Sequence, residues 1–141
     1  MSRDEILAAI PHRDPFLLVD EIVARAENRI VCRKTFTGAE YFFAGHYPGH
    51  PLVPGVILCE AAMQAGAILL SSQLGEMPGR VPVATRMNDV RFKRMVHPGE
   101  TIEMEVELTE RLAAAFFLKA KVSVAGSVAV RFEFACTAAE A

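Results

Sequence analysis

The sequence predicts an α+β domain in which an antiparallel sheet wraps around one long central helix. Ile102, Met104, Val106 and Leu108 alternate with Glu103, Glu105, Glu107 and Thr109, and two further segments downstream repeat this period of two. Such alternation marks strands with one buried and one wet face. Val56 to about Gln73 is instead apolar on nearly every side, the pattern of a helix at the middle of a domain. Its small residues Ala61, Ala62, Ala65, Gly66 and Ala67 predict close packing against it. At 141 residues, 52% of them apolar, residues 1–141 are expected to form a single domain with a sizeable core.

The elements follow in order. Asp4 to Ile10 reads as a short helix capped by Ser2 and stopped by Pro11. Phe16 to Arg25 and Arg29 to Thr37 read as two strands joined at Glu27-Asn28, a turn-favouring pair. A loop rich in glycine and proline runs from Gly45 to Gly55 and leads into the central helix, which Gly75 and Pro78-Gly79 end. Beyond the Ile102 strand, Leu118, Ala120, Val122 and Val124 alternate with Lys119, Lys121 and Ser123. Val128, Val130, Phe132, Phe134 and Cys136 alternate with Ala129, Arg131, Glu133 and Ala135. A three-residue turn at Ala125-Gly126-Ser127 would set Val124 against Val128, Ala120 against Phe132 and Lys119 against Glu133. Pairing Leu108 with Phe116 would set Glu105 against Lys119 and Glu103 against Lys121, each contact contributing a few tenths of a kcal/mol. A sheet of this kind has exposed edges and leaves its helix half covered, and a dimer that extends the sheet would cover both.

Composition excludes several function classes. The net charge is −2, with 15 basic and 17 acidic residues, so no global field favours nucleic acid or an anionic membrane. Cys32, Cys59 and Cys136 are odd in number and widely spaced, against a disulfide framework or a zinc knuckle and for reduced intracellular thiols. The charged start Met1-Ser2-Arg3-Asp4-Glu5 lacks the apolar stretch of a signal peptide. The longest nearly apolar run, Val56 to Leu70, contains Glu60 and Gln64 and falls short of the roughly 20 residues of a membrane crossing. A soluble, cytoplasmic protein is expected.

Chemistry concentrates between Tyr41 and Gln64. Glu60 sits about one and a half turns into a helix with no other charged residue before Glu76. An ionised carboxylate there costs several kcal/mol unless it is paired or hydrogen-bonded. Gln64 lies one turn on, on the face of Val56 and Glu60, and a polar stripe on a buried helix lines a substrate or a partner. Pairing of Glu60 with a buried Arg or Lys is the structural alternative.

His46 follows Gly45 in a loop that Pro48, Pro51 and Pro54 stiffen. Rigid loops feeding a helix N-terminus suit catalysis, because the free N–H groups there hold developing negative charge. A lone histidine more often packs or caps, but the surrounding loop argues for more here. His46 and His50 could form a metal site with Cys59 or Glu60. The prolines around them exclude helical geometry and no second ligand set is present, so no metal is expected.

These residues resemble a known family. Pro11-His12-Arg13-Asp14-Pro15-Phe16-Leu17-Leu18-Val19-Asp20, Gly45-His46-Tyr47-Pro48-Gly49, Pro54-Gly55-Val56, Glu60-Ala61 and Gln64 are similar to the FabZ-type β-hydroxyacyl-[acyl carrier protein] dehydratases. Arg91-Phe92-Lys93-Arg94 and Pro98-Gly99-Glu100 continue the match, which spans essentially the whole chain and weakens after Thr101. The resemblance implies a hotdog fold working as a dimer, commonly three dimers to a hexamer. It implies His46 from one subunit and Glu60 from its neighbour as the catalytic pair, in a tunnel along the dimer interface. Tyr47 stands where Phe is typical, Met95 where Pro is common and Glu100 where Asp is frequent. The related dehydratase–isomerases carry Asp at the place of Glu60, which argues for dehydration without isomerisation.

The implied reaction removes water from a 3-hydroxyacyl thioester and needs no metal or organic cofactor. Neutral His46 would take the C2 proton and Glu60 would assist departure of the C3 hydroxyl or orient the water formed. The backbone N–H of Gly55 would meet the enolate-like thioester oxygen, and Val56 and Gln64 are candidates for the tunnel wall. The partner would be acyl carrier protein, acidic and carrying phosphopantetheine, with Arg91, Lys93 and Arg94 as its basic patch and Arg86 nearby. A guarded strand edge is the alternative for those charges. The rival functions are a hotdog acyl thioesterase, which explains Glu60 but not His46, and a non-catalytic module that binds acyl chains or a partner protein.

Overall fold

The computed structural model describes residues 2–75 and 79–140, with α1 (Ser2–Ala9), β1 (Glu21–Arg25), β2 (Arg29–Thr35), α2 (Gly55–Leu74), β3 (Arg80–Phe92), β4 (Thr101–Leu112), β5 (Ala115–Val124) and β6 (Ser127–Glu140). The Ser2 side chain and Pro78, expected to cap one helix and help end another, lie outside the described residues. A single antiparallel sheet runs in the order β1-β2-β4-β5-β6-β3. It curls around α2, whose buried residues include Leu58, Ala61, Ala62, Ala65, Ile68, Leu69 and Leu70. This is the hotdog architecture.

Alternation decides which face of the sheet meets the helix. Ile102, Met104 and Val106 of β4, Phe116, Leu118 and Val122 of β5, and Phe132 and Phe134 of β6 are buried. Charged residues on the outer face pair across strands, as Arg29 with Glu105 at 3.0 Å and Arg33 with Glu103 at 3.5 Å. The small-residue run on α2 has a clear cause. A Cβ at Gly66 would stand 2.8 Å from Phe134 Cζ, so the sheet approaches the helix as closely as glycine allows.

Helix α2 is 20 residues long, longer than the apolar run gauged from sequence. Among the described residues it is the one helix long and apolar enough to cross a bilayer. The sheet buries most of it instead, as an all-round apolar helix in a domain core requires.

Four expectations need correction. The first strand begins at Glu21 rather than Phe16, because the preceding backbone is bound elsewhere. Leu18 N–H donates to Gln64 Oε1 at 2.7 Å, and Phe16 C=O accepts from Gln64 Nε2 at 2.8 Å. The second strand ends at Thr35, since the N–H groups of Thr37 and Gly38 turn to the Glu40 carboxylate at 3.0 and 2.9 Å.

The β5–β6 turn holds two residues, Ala125 and Gly126, at φ 48° and 83°, the left-handed pair that fits a tight hairpin. Val124 therefore faces Ser127. A register shift after Val122 restores Ala120 opposite Phe132 and Lys119 opposite Glu133, as expected. Between β4 and β5 the register lies two residues from the expected one, with Leu108 opposite Leu118, Glu105 opposite Lys121 and Glu107 opposite Lys119. A slip of two keeps every side chain on its face, so alternation alone does not separate the two registers.

Strand β3 had no counterpart among the alternating runs. Its 13 residues lie at the sheet edge, and Val83, Met87, Val90 and Phe92 are exposed. An edge strand with both faces open has no burial period to betray it.

Candidate active site

The loop before α2 carries His46. It is pinned by buried Phe43 and Val53 and by the Val53 N–H donating to Val96 C=O at 2.7 Å. Tyr47 adopts a left-handed φ of 49° and sets its ring edge-on to His46, centroids 4.8 Å apart. His46 Nδ1 lies 3.2 Å from Leu52 O. A carbonyl only accepts, so Nδ1 carries the hydrogen and the lone pair sits on Nε2. The half-buried imidazole is thus oriented as a base.

A cleft of about 870 Å³ opens beside this loop, walled by Tyr47, Gly49, His50, Pro51, Leu52, Met95, His97 and Pro98. Met95, at a position where the sequence departs from the FabZ pattern, forms part of the wall. Neither His46 nor Glu60 lines this cleft. No hydrogen bond, ion pair or ring contact joins His46 to Glu60 among the described residues.

Glu60 is held from its own helix. Gln64 Nε2 donates to Glu60 Oε2 at 3.1 Å, and the same amide bonds Phe16 O and Leu18 N. Gln64 is 1% exposed and every polar atom of its amide is engaged. In the single chain it touches Glu60 and the backbone of Phe16 and Leu18. No Arg or Lys pairs with Glu60 among the described residues. The neighbour is His12, with Nε2 3.7 Å from Glu60 Oε2, a residue the sequence reading quoted but did not assign. Its signal is an imidazole next to Pro11 at the end of a helix, which spacing alone does not connect to a residue 48 positions on.

The helix start supplies donors. Pro54 caps α2 and its carbonyl takes the N–H groups of Ile57 and Leu58 at 2.9 and 3.3 Å, leaving those of Gly55 and Val56 without a partner among the described residues. A Cβ on Gly55 would stand 2.6 Å from Phe92 Cε1, so glycine here lets the β3 end close over the helix start. Val56 is 72% exposed, an apolar side chain left open at the same place. Cys59 is buried, its thiol pushed up to about 11 by burial, and among the described residues no cluster of His, Cys, Asp and Glu could hold a metal.

The basic patch is partly redrawn. Arg91 and Lys93 line one groove on the outer sheet face, but Arg94 does not. Arg94 is bound to Glu100 at 2.7 Å and so is neutralised locally. The groove, about 480 Å³, also takes in Lys119, Lys121 and Arg131, together with the carboxylates of Asp89, Glu105, Glu107 and Glu133. Arg131 stands directly opposite both Lys121 and Arg91, but Arg91 is bound to Asp89 at 2.9 Å and Lys121 lies 3.9 Å from Glu105, so part of this charge is met within the chain.

A family model described as a FabA-like domain matches residues 10–133. The chain belongs to the FabA-like family. Two FabZ-type relatives are similar over nearly its whole length. A "3-hydroxyacyl-[acyl-carrier-protein] dehydratase FabZ" of Clostridium perfringens (strain SM101 / Type A) is 42% identical over 129 residues, 92% of this chain and 92% of that protein. One of the same name from Caulobacter sp. (strain K31) is 43% identical, over 96% of this chain and 85% of its own. Among solved structures, the dehydratase heterocomplex ApeI:P from Xenorhabdus doucetiae superposes with a TM-score of 0.81 at 16% identity, covering 99% of this chain and 92% of that one. A hypothetical thioesterase with coenzyme A from Streptococcus pneumoniae TIGR4 reaches 0.68 at 10% identity, covering 98% and 94%. At these identities the likeness is one of fold alone, and activity must be argued from side chains.

Proposed function

We propose that this chain dehydrates 3-hydroxyacyl thioesters of acyl carrier protein to trans-2-enoyl thioesters, as its FabZ-type relatives are named for doing, in fatty acid synthesis in the cytoplasm. The observation that carries the reading is the His46 Nδ1–Leu52 O contact at 3.2 Å, which leaves Nε2 free to accept a proton. His46 Nε2 removes the C2 hydrogen, and the electron pair moves toward the thioester oxygen. The N–H groups of Gly55 and Val56 meet the charge gathering there. Glu60 gives a proton to the C3 hydroxyl, which departs as water while the C2–C3 double bond forms. His46 is left protonated and Glu60 ionised, and a proton returned through solvent resets the pair.

A thiol ester hydrolase needs a carboxylate and water, but no base held in this tautomer beside a separate acid. The lack of contact between His46 and Glu60 within one chain supports a site shared by two chains. Edge strand β3 and the open helix start supply the surfaces for that homodimer, and three dimers to a hexamer is the assembly we infer. Lys93 and Arg131, for which no ion pair is found among the described residues, offer an acidic carrier protein its counter-charges beside Arg91. The buried thiols of Cys32, Cys59 and Cys136, none in a disulfide, suit a reducing compartment.

Subunit mixing tests the reading. His46→Ala and Glu60→Gln chains are each inactive alone on a short 3-hydroxyacyl carrier-protein thioester, followed by enoyl absorbance. Unfolded and refolded together, they regain about a quarter of wild-type turnover, because half the dimers are mixed and each carries one intact site. Full activity in either single variant, or release of free thiol instead of an enoyl product, overturns the proposal.

A further inference from the structure

The loop between α1 and β1 brings a second imidazole to Glu60. His12 presents Nε2 at 3.7 Å from Glu60 Oε2, with the two side chains 27% and 25% exposed. Its Nδ1 is buried and has no hydrogen-bond partner among the described residues. The ring lies parallel to Phe16, centroids 6.5 Å apart, and the Phe16 carbonyl is held by Gln64. His12 and Gln64 therefore both reach Oε2, and both are fastened to the same stretch of chain.

The orphaned nitrogen fixes the tautomer. A buried N–H without an acceptor loses a full hydrogen bond, whereas an unused lone pair loses less. The hydrogen of the neutral ring therefore belongs on Nε2, the nitrogen 3.7 Å from Glu60 Oε2. At 3.7 Å the contact is electrostatic and not yet a formed hydrogen bond. Oε2 thus accepts a hydrogen bond from Gln64 Nε2–H and lies within electrostatic reach of His12 Nε2–H, while no contact of either with Oε1 is found among the described residues. An oxygen that already accepts one N–H and faces a second is the poor place for an acid hydrogen, so the carboxyl hydrogen goes to Oε1.

We propose that His12 is a positioning residue: with Gln64 it reserves Glu60 Oε2 as an acceptor and keeps the transferable hydrogen on Oε1, the oxygen left for the substrate hydroxyl. This rests on the reading of Glu60 as the acid of the reaction. His12 touches no reacting atom and acts through the orientation of that carboxyl group.

The test compares His12→Leu, His12→Gln and Glu60→Gln in steady state on the carrier-protein thioester. Leucine removes the donor, and kcat falls about ten- to a hundredfold while KM and melting temperature hold. Glutamine offers an amide N–H at similar reach and recovers most of the loss. Wild-type kcat in His12→Leu, with Glu60→Gln inactive, overturns the proposal and spares the Glu60 reading. Equal losses in the leucine and glutamine variants overturn it too. Full activity in Glu60→Gln removes the acid reading and this proposal together. Nitrogen-15 NMR of the wild-type ring gives an answer independent of any variant's folding: hydrogen on Nε2 supports the proposal, and hydrogen on Nδ1 overturns it.

Discussion

Gln64 donates to Glu60 across one turn of α2 at 3.1 Å, and the same amide ties that turn to Phe16 and Leu18. The acid of the proposed reaction is therefore braced by a side chain that also anchors the N-terminal loop. Replacing Gln64 with Leu leaves the buried Leu18 N–H and the part-buried Phe16 C=O without these partners. Urea unfolding should show a loss of roughly 2–4 kcal/mol, with a lower kcat in whatever fraction stays folded.

Gly66 faces Phe134 with no room for a methyl group. Gly66→Ala gains up to about 1 kcal/mol in helix propensity, but overpacking against a buried aromatic ring costs roughly 1–3 kcal/mol. Thermal melting should therefore fall by several degrees, where the same change in an exposed helix would raise it.

Glu100 is held below the usual carboxylate range, first by the His97 backbone N–H, which with Arg94 and the His97 ring outweighs the upward push of burial. The folded state thus binds this proton less tightly than the unfolded state. The carboxylate's stabilisation is present above the unfolded value of about 4.3 and is lost as pH falls through the lower folded value. Glu100→Gln should lose roughly 1–2 kcal/mol at pH 7, and the gap to wild type should close in strong acid.

Cys32, Cys59 and Cys136 are buried, their thiols pushed up to about 12, 11 and 11 by burial. Native protein at pH 8 should resist a thiol-specific alkylating reagent, and all three should react in urea. Mass spectrometry counts the adducts.

Charge reversal at Lys93 and Arg131 should raise KM for a carrier-protein substrate several-fold, more so at low salt. Turnover of the same acyl group on a short pantetheine thiol should not change. Equal effects on both substrates would place the groove outside partner binding.

Much of this architecture was legible because one periodicity carried it. Three strands and the central helix announce themselves by burial on one face or on all. The β4–β5 register was not readable, since Glu105 finds a lysine at either alignment. Strand β3 escaped because its residues are open to both sides in the single chain. Within the site, Glu60 stood out as the lone charge on an apolar helix and His46 by its stiff loop. The bonds of Gln64 to Phe16 and Leu18 were not readable, since a polar residue on a buried helix can face a loop as easily as a ligand. His12 was invisible for a related reason: its meeting with Glu60 depends on where the chain from Pro11 to Asp20 lies, and that path is set by side-chain bonds, not by any repeat.

The bare β3 edge ties solubility to company. Val83, Met87, Val90 and Phe92 form a greasy rail whose backbone groups are half unmatched, an invitation to any sheet that comes near. In the proposed dimer the chain would find the matching rail and the second half of its chemistry in the same encounter. Thinned out, it would lose both together, so folding and turnover should fade over one range of protein concentration.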